Sequence, residues 1–309
     1  MNKDAALLVE KPLVEYISAQ GGWPEGDETF LGSSRPADAY ITYYQKRRHI
    51  FGDLKIEILD QDGKLVDTIP GSKHRGLNRA TWSMRLKPPI VPPAATALFQ
   101  ASNGPYVLPG TYTVKLTKGD QVVTAPLKVA VDPRAKYGIE DRKAQFDLAM
   151  KLHKLLGHMS YATSAIMGVR DEAASRAARL KENDPLRARL QQLSQQADAL
   201  RSKIVATKEG GMITGEERIR ELLGSLYGNV NQYEGRPSDA QVARTAALGH
   251  ELEDVIVDFR KLTDKELPAI NASLRKKKLE PISVLSEADW EKQSQEEGSA
   301  KAAGPAFER

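Results

Sequence analysis

The sequence holds few residues whose types and spacing could do chemistry, and the nearest approach to a metal motif is His250-Glu251-x-x-Asp254. A zinc-protease helix needs a second histidine one turn after the first, so that both imidazoles reach one ion. In this sequence an aspartate occupies the last position of the motif. The surrounding residues predict a helix whose apolar positions repeat as heptads. We therefore interpret these residues as solvated helix positions. His153 and His158, five residues apart, receive the same interpretation.

A second candidate is Asp60-x-Asp62-Gly63, which has the start of a calcium-binding loop. A complete loop needs further oxygen ligands and a closing glutamate, whereas strand-like residues follow here at once. A hairpin turn is therefore the preferred interpretation. The sequence also contains no Gly-x-Ser-x-Gly elbow, no phosphate-binding glycine loop, no dinucleotide fingerprint and no cysteine. We predict no catalytic residues, no cofactor and no metal site.

The charge balance argues against nucleic acid as a partner. The 309 residues carry 45 Lys and Arg against 41 Asp and Glu, a net charge of +4, and the two signs are mixed along the chain. Only Lys46-Arg47-Arg48 and Arg275-Lys276-Lys277-Lys278 are dense, and we interpret them as a solvated strand end and a helix C-terminus. No apolar run reaches the roughly 18 residues of a membrane span, and the first eleven residues predict no signal peptide.

The hydrophobic period changes at Asp132-Pro133-Arg134. Before it, apolar residues alternate, as half-buried strands require; after it, they repeat as heptads, as in a packed helix. The sequence therefore predicts an α+β multidomain chain, in which a β-sandwich precedes an antiparallel helical bundle with coiled-coil-like packing. The predicted parts are an irregular lead-in over 1–38, the sandwich over 39–132, the bundle over 139–282 and a disordered tail over 286–309.

Helix boundaries within the bundle follow from capping residues. Asn183-Asp184-Pro185 separates the first helix from the second, Thr214 with Glu217 would open the third, and Ser238 with Gln241 would open the fourth. The first and fourth predicted helices, 139–181 and 239–277, are far longer than the other two. Either this long pair extends alone toward the sandwich, or the first helix breaks near Gly157 or Gly168. Pro268 should kink the fourth helix or begin a new one.

Several segments carry a family resemblance. Four of them lie in the predicted sandwich: Tyr40-Ile41-Thr42-Tyr43-Tyr44, Leu54 to Val66, Gly76 to Trp82 and Leu108-Pro109-Gly110-Thr111-Tyr112. Together these four segments resemble the Ig-like module of flagellar hook-capping type. In bacterial sortilin-like proteins with neuraminidase-type repeats, such a module follows a β-propeller. Helical fingerprints resemble the C-terminal part of the same proteins: Gln145-Phe146-Asp147-Leu148, Gly168-Val169-Arg170-Asp171, Thr207 to Gly211 and Tyr233 to Pro237.

The resemblance implies an extracytoplasmic protein, periplasmic or secreted, without the propeller of the family. Its Ser-x-Asp-x-Gly-x-Thr-Trp box is absent, so the glycosyl hydrolase label that such proteins often carry should not pass to this chain. We therefore expect a non-enzymatic accessory region that docks a propeller or another extracytoplasmic protein. The alternatives are a fragment of a glycosidase-type enzyme, with two carboxylates in one cleft, and a carbohydrate-binding module.

A long connection, Lys87 to Val107, is the predicted partner surface. Its proline pairs weaken strand pairing, and it carries the apolar residues Ile90, Val91, Leu98 and Phe99. The alternative is that this loop folds back over an open edge of its own sandwich. Exposure of Trp82, Tyr43, Tyr44 and Tyr112 separates the protein-docking and glycan hypotheses, because a sugar platform needs coplanar exposed rings.

The absence of a catalytic constellation gives a direct test. Assays of the purified chain on aryl glycosides, sialosides included, should give rates equal to those in buffer, because no nucleophile, base and orienting group share a motif. Turnover that disappears when a single Asp or Glu is replaced would contradict this prediction.

Overall fold

The computed structural model describes residues 4–8, 11–15, 38–94, 97–207, 216–233 and 235–303. Within these residues the chain is mixed α+β, with five helices and two sheets, as the change of period predicts. The strands are β1 (Ala5–Leu7), β2 (Leu13–Glu15), β3 (Ala39–Gln45), β4 (Leu54–Leu59), β5 (Leu65–Pro70), β6 (Gly76–Trp82), β7 (Gly110–Lys118) and β8 (Gln121–Val131). The helices are α1 (Ile139–Ala178), α2 (Pro185–Ile204), α3 (Ile219–Gln232), α4 (Asp239–Lys276) and α5 (Glu287–Ala303).

The chain divides into two compact units. The β unit comprises residues 1–88, 103–150 and 230–237, and the helical unit comprises 89–102, 151–229 and 238–309. This division differs from the predicted boundary at Asp132-Pro133-Arg134. The start of α1 and the end of α3 group with the strands, and the 89–102 segment groups with the helices.

The strands form a three-stranded sheet, β1-β3-β6, and a five-stranded sheet, β2-β8-β7-β4-β5. The predicted irregular lead-in contributes to both. Ala5–Leu7 pairs antiparallel with β3, and Leu13–Glu15 pairs parallel with β8. Backbone groups at a sheet edge gain partners when an extra strand is added. This is the physical reason for the difference from the expected irregular structure over 1–38.

Alternating apolar positions build the core of the β unit. In β3, Ile41 and Tyr43 are buried, and in β6 Ala80 and Trp82 are buried, while the residues between them face outward or are half-buried. They share one cluster with Ile56, Ile58, Val114, Leu116, Leu127 and Val129. The prediction that Trp82 belongs to the core is confirmed.

The turn between β4 and β5 is a hairpin turn, as predicted. Asp60 Oδ1 accepts hydrogen bonds from the backbone N–H groups of Asp62 at 3.0 Å and Lys64 at 2.8 Å. Gly63 has a φ of +77°, which a side chain would disfavour. The carboxylate of Asp60 therefore serves its own turn.

A buried ionic group lies at the start of α1. The Arg142 guanidinium donates to the carbonyl oxygens of Tyr106 and Val107, at 3.0 and 3.1 Å, and to Oε1 of Gln145 at 2.6 Å. Its Nε lies 3.6 Å from a carboxylate oxygen of Glu15, and both side chains are almost fully buried. Gln145 in turn donates to the carbonyl of Val230 at 2.7 Å. The group therefore joins β2, α1, the end of α3 and the segment before β7.

The helices are uneven, as predicted. α1 has 40 residues and α4 has 38, against 20 in α2 and 14 in α3. The suggested break in the first helix is wrong, because α1 runs through Gly157 and Gly168 without interruption. The α2 seam is confirmed, and its buried residues are Leu186, Leu190, Leu193, Ala197, Leu200 and Ile204.

Capping residues define the starts of α2 and α4. Asp184 caps α2 by accepting from the Leu186 N–H, with Pro185 at the first position, and Ser238 forms the predicted capping box with Gln241. Thr214 lies outside the described residues. α4 continues through Pro268, so the hypothesis of a new helix there is wrong; buried residues on both sides, such as Leu267 and Ile270, hold the helix in place.

The tail, predicted to be disordered from 286, contains α5. The Ser286 hydroxyl accepts from the Asp289 N–H at 3.2 Å and so caps the helix. The Trp290 ring lies 6.1 Å from that of Tyr161, and the Tyr161 hydroxyl donates to the Leu285 carbonyl at 3.1 Å. One aromatic contact thus anchors a segment that has little other apolar content.

We expect replacement of Arg142 by Met to destabilise the β unit by about 3–5 kcal/mol, because the Glu15 carboxylate would stay buried without the guanidinium. Replacing Glu15 and Arg142 together with Met should cost less than the single change. Denaturant unfolding measures both. Arg179→Met, at an exposed position directly after α1, is the control and should change stability by less than about 0.5 kcal/mol. An equal effect of the Arg142 and Arg179 variants would contradict this expectation.

Candidate interaction surface

The predicted partner loop, Lys87 to Val107, begins and ends beside a short antiparallel pairing of the chain. Arg85 and Tyr106 form an isolated antiparallel bridge, in which the Leu86 N–H donates to Pro105 and the Val107 N–H donates to Met84, both at 2.8 Å. The Arg85 side chain donates to the Gly104 carbonyl at 2.8 Å and lies over the Tyr106 ring. Both ends of the loop are therefore fixed by backbone hydrogen bonds.

Between these ends, in the helical unit, residues 98–100 lie against α3 at two glycines. A Cβ at Gly224 would lie 2.7 Å from Cγ of Leu98, and a Cβ at Gly228 would lie 2.7 Å from Cβ of Gln100. Glycine is unfavourable within a helix by about 1 kcal/mol relative to alanine. Here the missing side chains let the loop approach the helix backbone.

A buried arginine fixes the other half of the segment. Nε of Arg220 on α3 donates to the Pro92 carbonyl at 2.8 Å, and its guanidinium also pairs with Glu221 at 2.8 Å. Arg220 is almost fully buried, as are Pro89 and Pro92. A proline-rich stretch without strand partners thus receives a strong, charge-assisted hydrogen bond from the helix.

The four candidate residues separate into two groups. Ile90 is 47% exposed and Phe99 is 67% exposed. Val91 is half-buried, and Leu98 is half-buried against Gly224. A 3-10 turn, Phe99–Ala101, holds Phe99 in place, since the Phe99 carbonyl accepts from the Ser102 N–H and hydroxyl. Ile90 and Phe99 are thus available to a partner, whereas Leu98 serves the loop itself.

Sequence reasoning missed Arg220, Gly224 and Gly228. The two glycines four residues apart in an otherwise helical segment were the available signal, because such spacing places both on one helix face. The alternative was that the loop folds back over an open edge of its own sandwich. The structure instead places Leu98 and Gln100 of the loop against α3.

The aromatic residues of the β unit form no exposed platform. Tyr43 and Trp82 are fully buried, and Tyr44 and Tyr112 are half-buried. Trp82 and Tyr112 meet edge to face, at 6.0 Å between ring centroids. Burial, with a smaller contribution from Glu15, raises the pKa of Tyr112 to about 12. Its hydroxyl stays protonated and donates to the Leu108 carbonyl at 2.7 Å.

Two cavities lie within single units, and each has one carboxylate. A cavity of about 290 Å³ in the β unit is lined by Asp60, Lys64, Tyr112 and Phe146 among others. A cavity of about 580 Å³ in the helical unit is lined by Asp184, Lys181, Arg189, Lys276 and Lys277 among others. The carboxylates of Asp60 and Asp184 are used by a turn and by a cap with a Lys277 ion pair. Neither cavity therefore holds the two carboxylates that glycoside hydrolysis would need.

Within the described residues, the histidines of the candidate metal motifs do not lie in a cluster of metal-binding side chains. His250, Glu251 and Asp254 are exposed on α4. His153 meets the Tyr227 ring edge to face, and His158 lies 3.6 Å from Glu287. Across the described ranges, no three His, Asp or Glu side chains cluster as a metal ion would require. Of the helices there, none is both long and apolar enough to cross a bilayer.

Comparisons with known proteins leave the family open. No protein-family model matches the chain, and no curated protein sequence does. Among solved structures, CopC from Methylosinus trichosporium OB3b is similar over 32% of this chain and 80% of the CopC chain, with 21% identity and a TM-score of 0.19. A similarity of that size supports no inference about fold or function.

We expect Gly228→Ala to loosen the loop, because the new Cβ would meet Cβ and Cα of Gln100. Hydrogen exchange at residues 97–102 should accelerate, as measured by mass spectrometry. Gly168→Ala is the matched control, because no neighbouring atom lies within 4 Å of its Cβ position in α1. That change should raise stability by up to about 1 kcal/mol and leave the loop unchanged. Equal exchange in both variants would show that the glycine contact does not hold the loop.

Proposed function

We propose that this chain is a non-enzymatic accessory region that docks another protein through Ile90 and Phe99. The observation that carries the proposal is the exposure of these two side chains on a segment whose backbone is held by Arg220, Gly224 and Gly228. Exposed apolar clusters commonly mark interaction sites. A segment ordered before binding loses little entropy on docking, which suits a role as a fixed contact surface.

We further propose that the β unit is an Ig-like sandwich. The pairing β1-β3-β6 corresponds to strands A, B and E of such a domain, and β8-β7-β4 corresponds to G, F and C. Tyr112 lies near the start of β7, and its hydroxyl bonds to the backbone four residues upstream. That is the geometry of the tyrosine corner at the start of strand F.

The resemblance to sortilin-like propeller proteins supports the choice of partner and place. On that basis we propose an antiparallel bundle for the helices of the second unit, a β-propeller or another extracytoplasmic protein as the partner, and a periplasmic or secreted location. The heptad seam of α2 and the unequal helix lengths agree with a bundle.

The alternatives receive less support. A carbohydrate-binding module would need exposed coplanar rings, and Tyr43 and Trp82 are buried. A glycosidase would need two carboxylates about 5–10 Å apart around a cleft, and each of the two cavities described above has one. Protein docking therefore remains the preferred function.

The test is site-specific photo-crosslinking in the source organism. A crosslinker in place of Phe99 should capture a defined protein with a propeller domain, and the same crosslinker in place of Val242, exposed on α4, should not. With the captured protein purified, Ile90→Ser with Phe99→Ser should weaken binding about tenfold or more, since two apolar side chains lose their burial. The melting temperature should not change.

A third variant separates docking from folding. Leu98→Ser should lower the melting temperature, because Leu98 packs against Gly224. Capture from position 242 as efficient as from position 99, or unchanged affinity of the Ile90 and Phe99 double variant, would contradict the proposed function.

A further inference from the structure

One end of the β unit gathers three connections, which we call the Phe51 end: the loop 46–53, the loop 71–75 and the turn at 119–120. The His49 N–H donates to the Lys73 carbonyl at 3.0 Å, and the Gly119 N–H donates to the Asp53 carbonyl at 3.3 Å. Gln45, at the end of β3, donates through its side chain to the carbonyls of Ser72 and His74. The three connections therefore form one continuous surface.

This surface is cationic. In the described residues, the three connections and the strand ends next to them carry only three acidic side chains, all aspartates. One of these, Asp4, forms an ion pair with Lys118 at 2.7 Å. The Lys118 hydrogen bond, reinforced by the charges of Arg47 and Lys46, holds the pKa of Asp4 below its usual value. The exposed Lys and Arg residues are Lys46, Arg47, Arg48, Lys73 and Arg75, whereas Lys118 is paired with Asp4, and the other two aspartates are Asp53 and Asp120.

Two large apolar side chains on the loop 46–53 are highly exposed. Ile50 is 67% exposed and Phe51 is 85% exposed. The backbone beneath them is braced, since Nζ of Lys73 donates to the Gly52 carbonyl at 2.8 Å and the His49 ring contacts the Asp53 carbonyl at 3.1 Å. Gly52 adopts a φ of +80°, which permits the tight turn. The exposure of Ile50 and Phe51 is thus a fixed feature of the loop.

We propose that the Phe51 end binds the surface of an anionic phospholipid bilayer, with Ile50 and Phe51 entering the interface and the surrounding cations facing the headgroups. Adjacent exposed aromatic and aliphatic side chains on a surface rich in Lys and Arg suit the boundary between acyl chains and anionic headgroups. A bilayer is favoured over an acidic protein because the loop 46–53 combines three consecutive exposed cations, Lys46 to Arg48, with two apolar side chains that are 67% and 85% exposed. Neither cavity described above is lined by residues of this end.

The test is flotation of the full chain with vesicles. Vesicles of phosphatidylcholine with about 30% phosphatidylglycerol should carry the chain, vesicles of phosphatidylcholine alone should carry far less, and about 0.5 M salt should reduce binding strongly. Ile50→Ser with Phe51→Ser should weaken vesicle binding about tenfold or more. Arg47→Gln with Arg48→Gln should weaken it only for the anionic vesicles.

Matched controls lie on the helical unit. Phe99→Ser removes a phenyl ring that is 67% exposed, and Arg275→Gln with Lys276→Gln removes two exposed charges; neither should change vesicle binding. The proposal is overturned if the wild-type chain does not float with anionic vesicles, or if the Ile50 and Phe51 variant floats as well as the Phe99 variant. Binding to polyglutamate without binding to vesicles would assign the surface to an acidic protein instead.

A depth measurement gives a second readout. Phe51→Trp should add indole fluorescence that brominated lipids quench more strongly than they quench the wild-type emission, because position 51 would lie among the acyl chains. Quenching equal to that of the wild-type chain would overturn the insertion of Phe51.

Discussion

The β unit depends on the buried charge of Arg142. A guanidinium has five N–H donors and keeps its proton, so its burial requires acceptors on several sides. The acceptors are Gln145 one turn later and the carbonyls of Tyr106 and Val107, and Glu15 on β2 supplies the opposite charge at 3.6 Å. Because these groups are far apart in the sequence, the same ionic group fixes a short parallel edge strand, the first turns of α1 and the chain entering β7.

Arginine-to-carbonyl hydrogen bonds recur wherever irregular chain must be held. Arg220 on α3 holds Pro92, Arg85 holds Gly104, and Arg176 on α1 donates to the carbonyls of Glu280 and Pro281. Irregular segments leave backbone carbonyls without ladder partners. A long cationic side chain on a regular element can reach such carbonyls. These arginines therefore stabilise connections of the chain.

Packing within the chain does not explain the exposed apolar residues of the two proposed surfaces. Ile90 and Phe99 are exposed on a segment that packs on α3, and Ile50 and Phe51 are exposed on a braced loop. In both places a rigid backbone presents two apolar side chains. The aromatic residues that a sugar platform would need, such as Trp82, are instead buried in the core of the β unit. This distribution is the basis for the proposed role in recognition of other surfaces.

The sequence by itself determined the local elements. Alternation placed Trp82 in the core, Asp60 and Gly63 marked a hairpin, and Ser238 opened α4, because each depends on neighbours within a few residues. The tertiary structure decided the remainder. Two three-residue strands before β3 exist only through partners such as β8, and the loop reaches α3 only because two glycines leave space for it. Periodicity carries no information about such distant contacts, since their free energy arises from groups that meet only after folding.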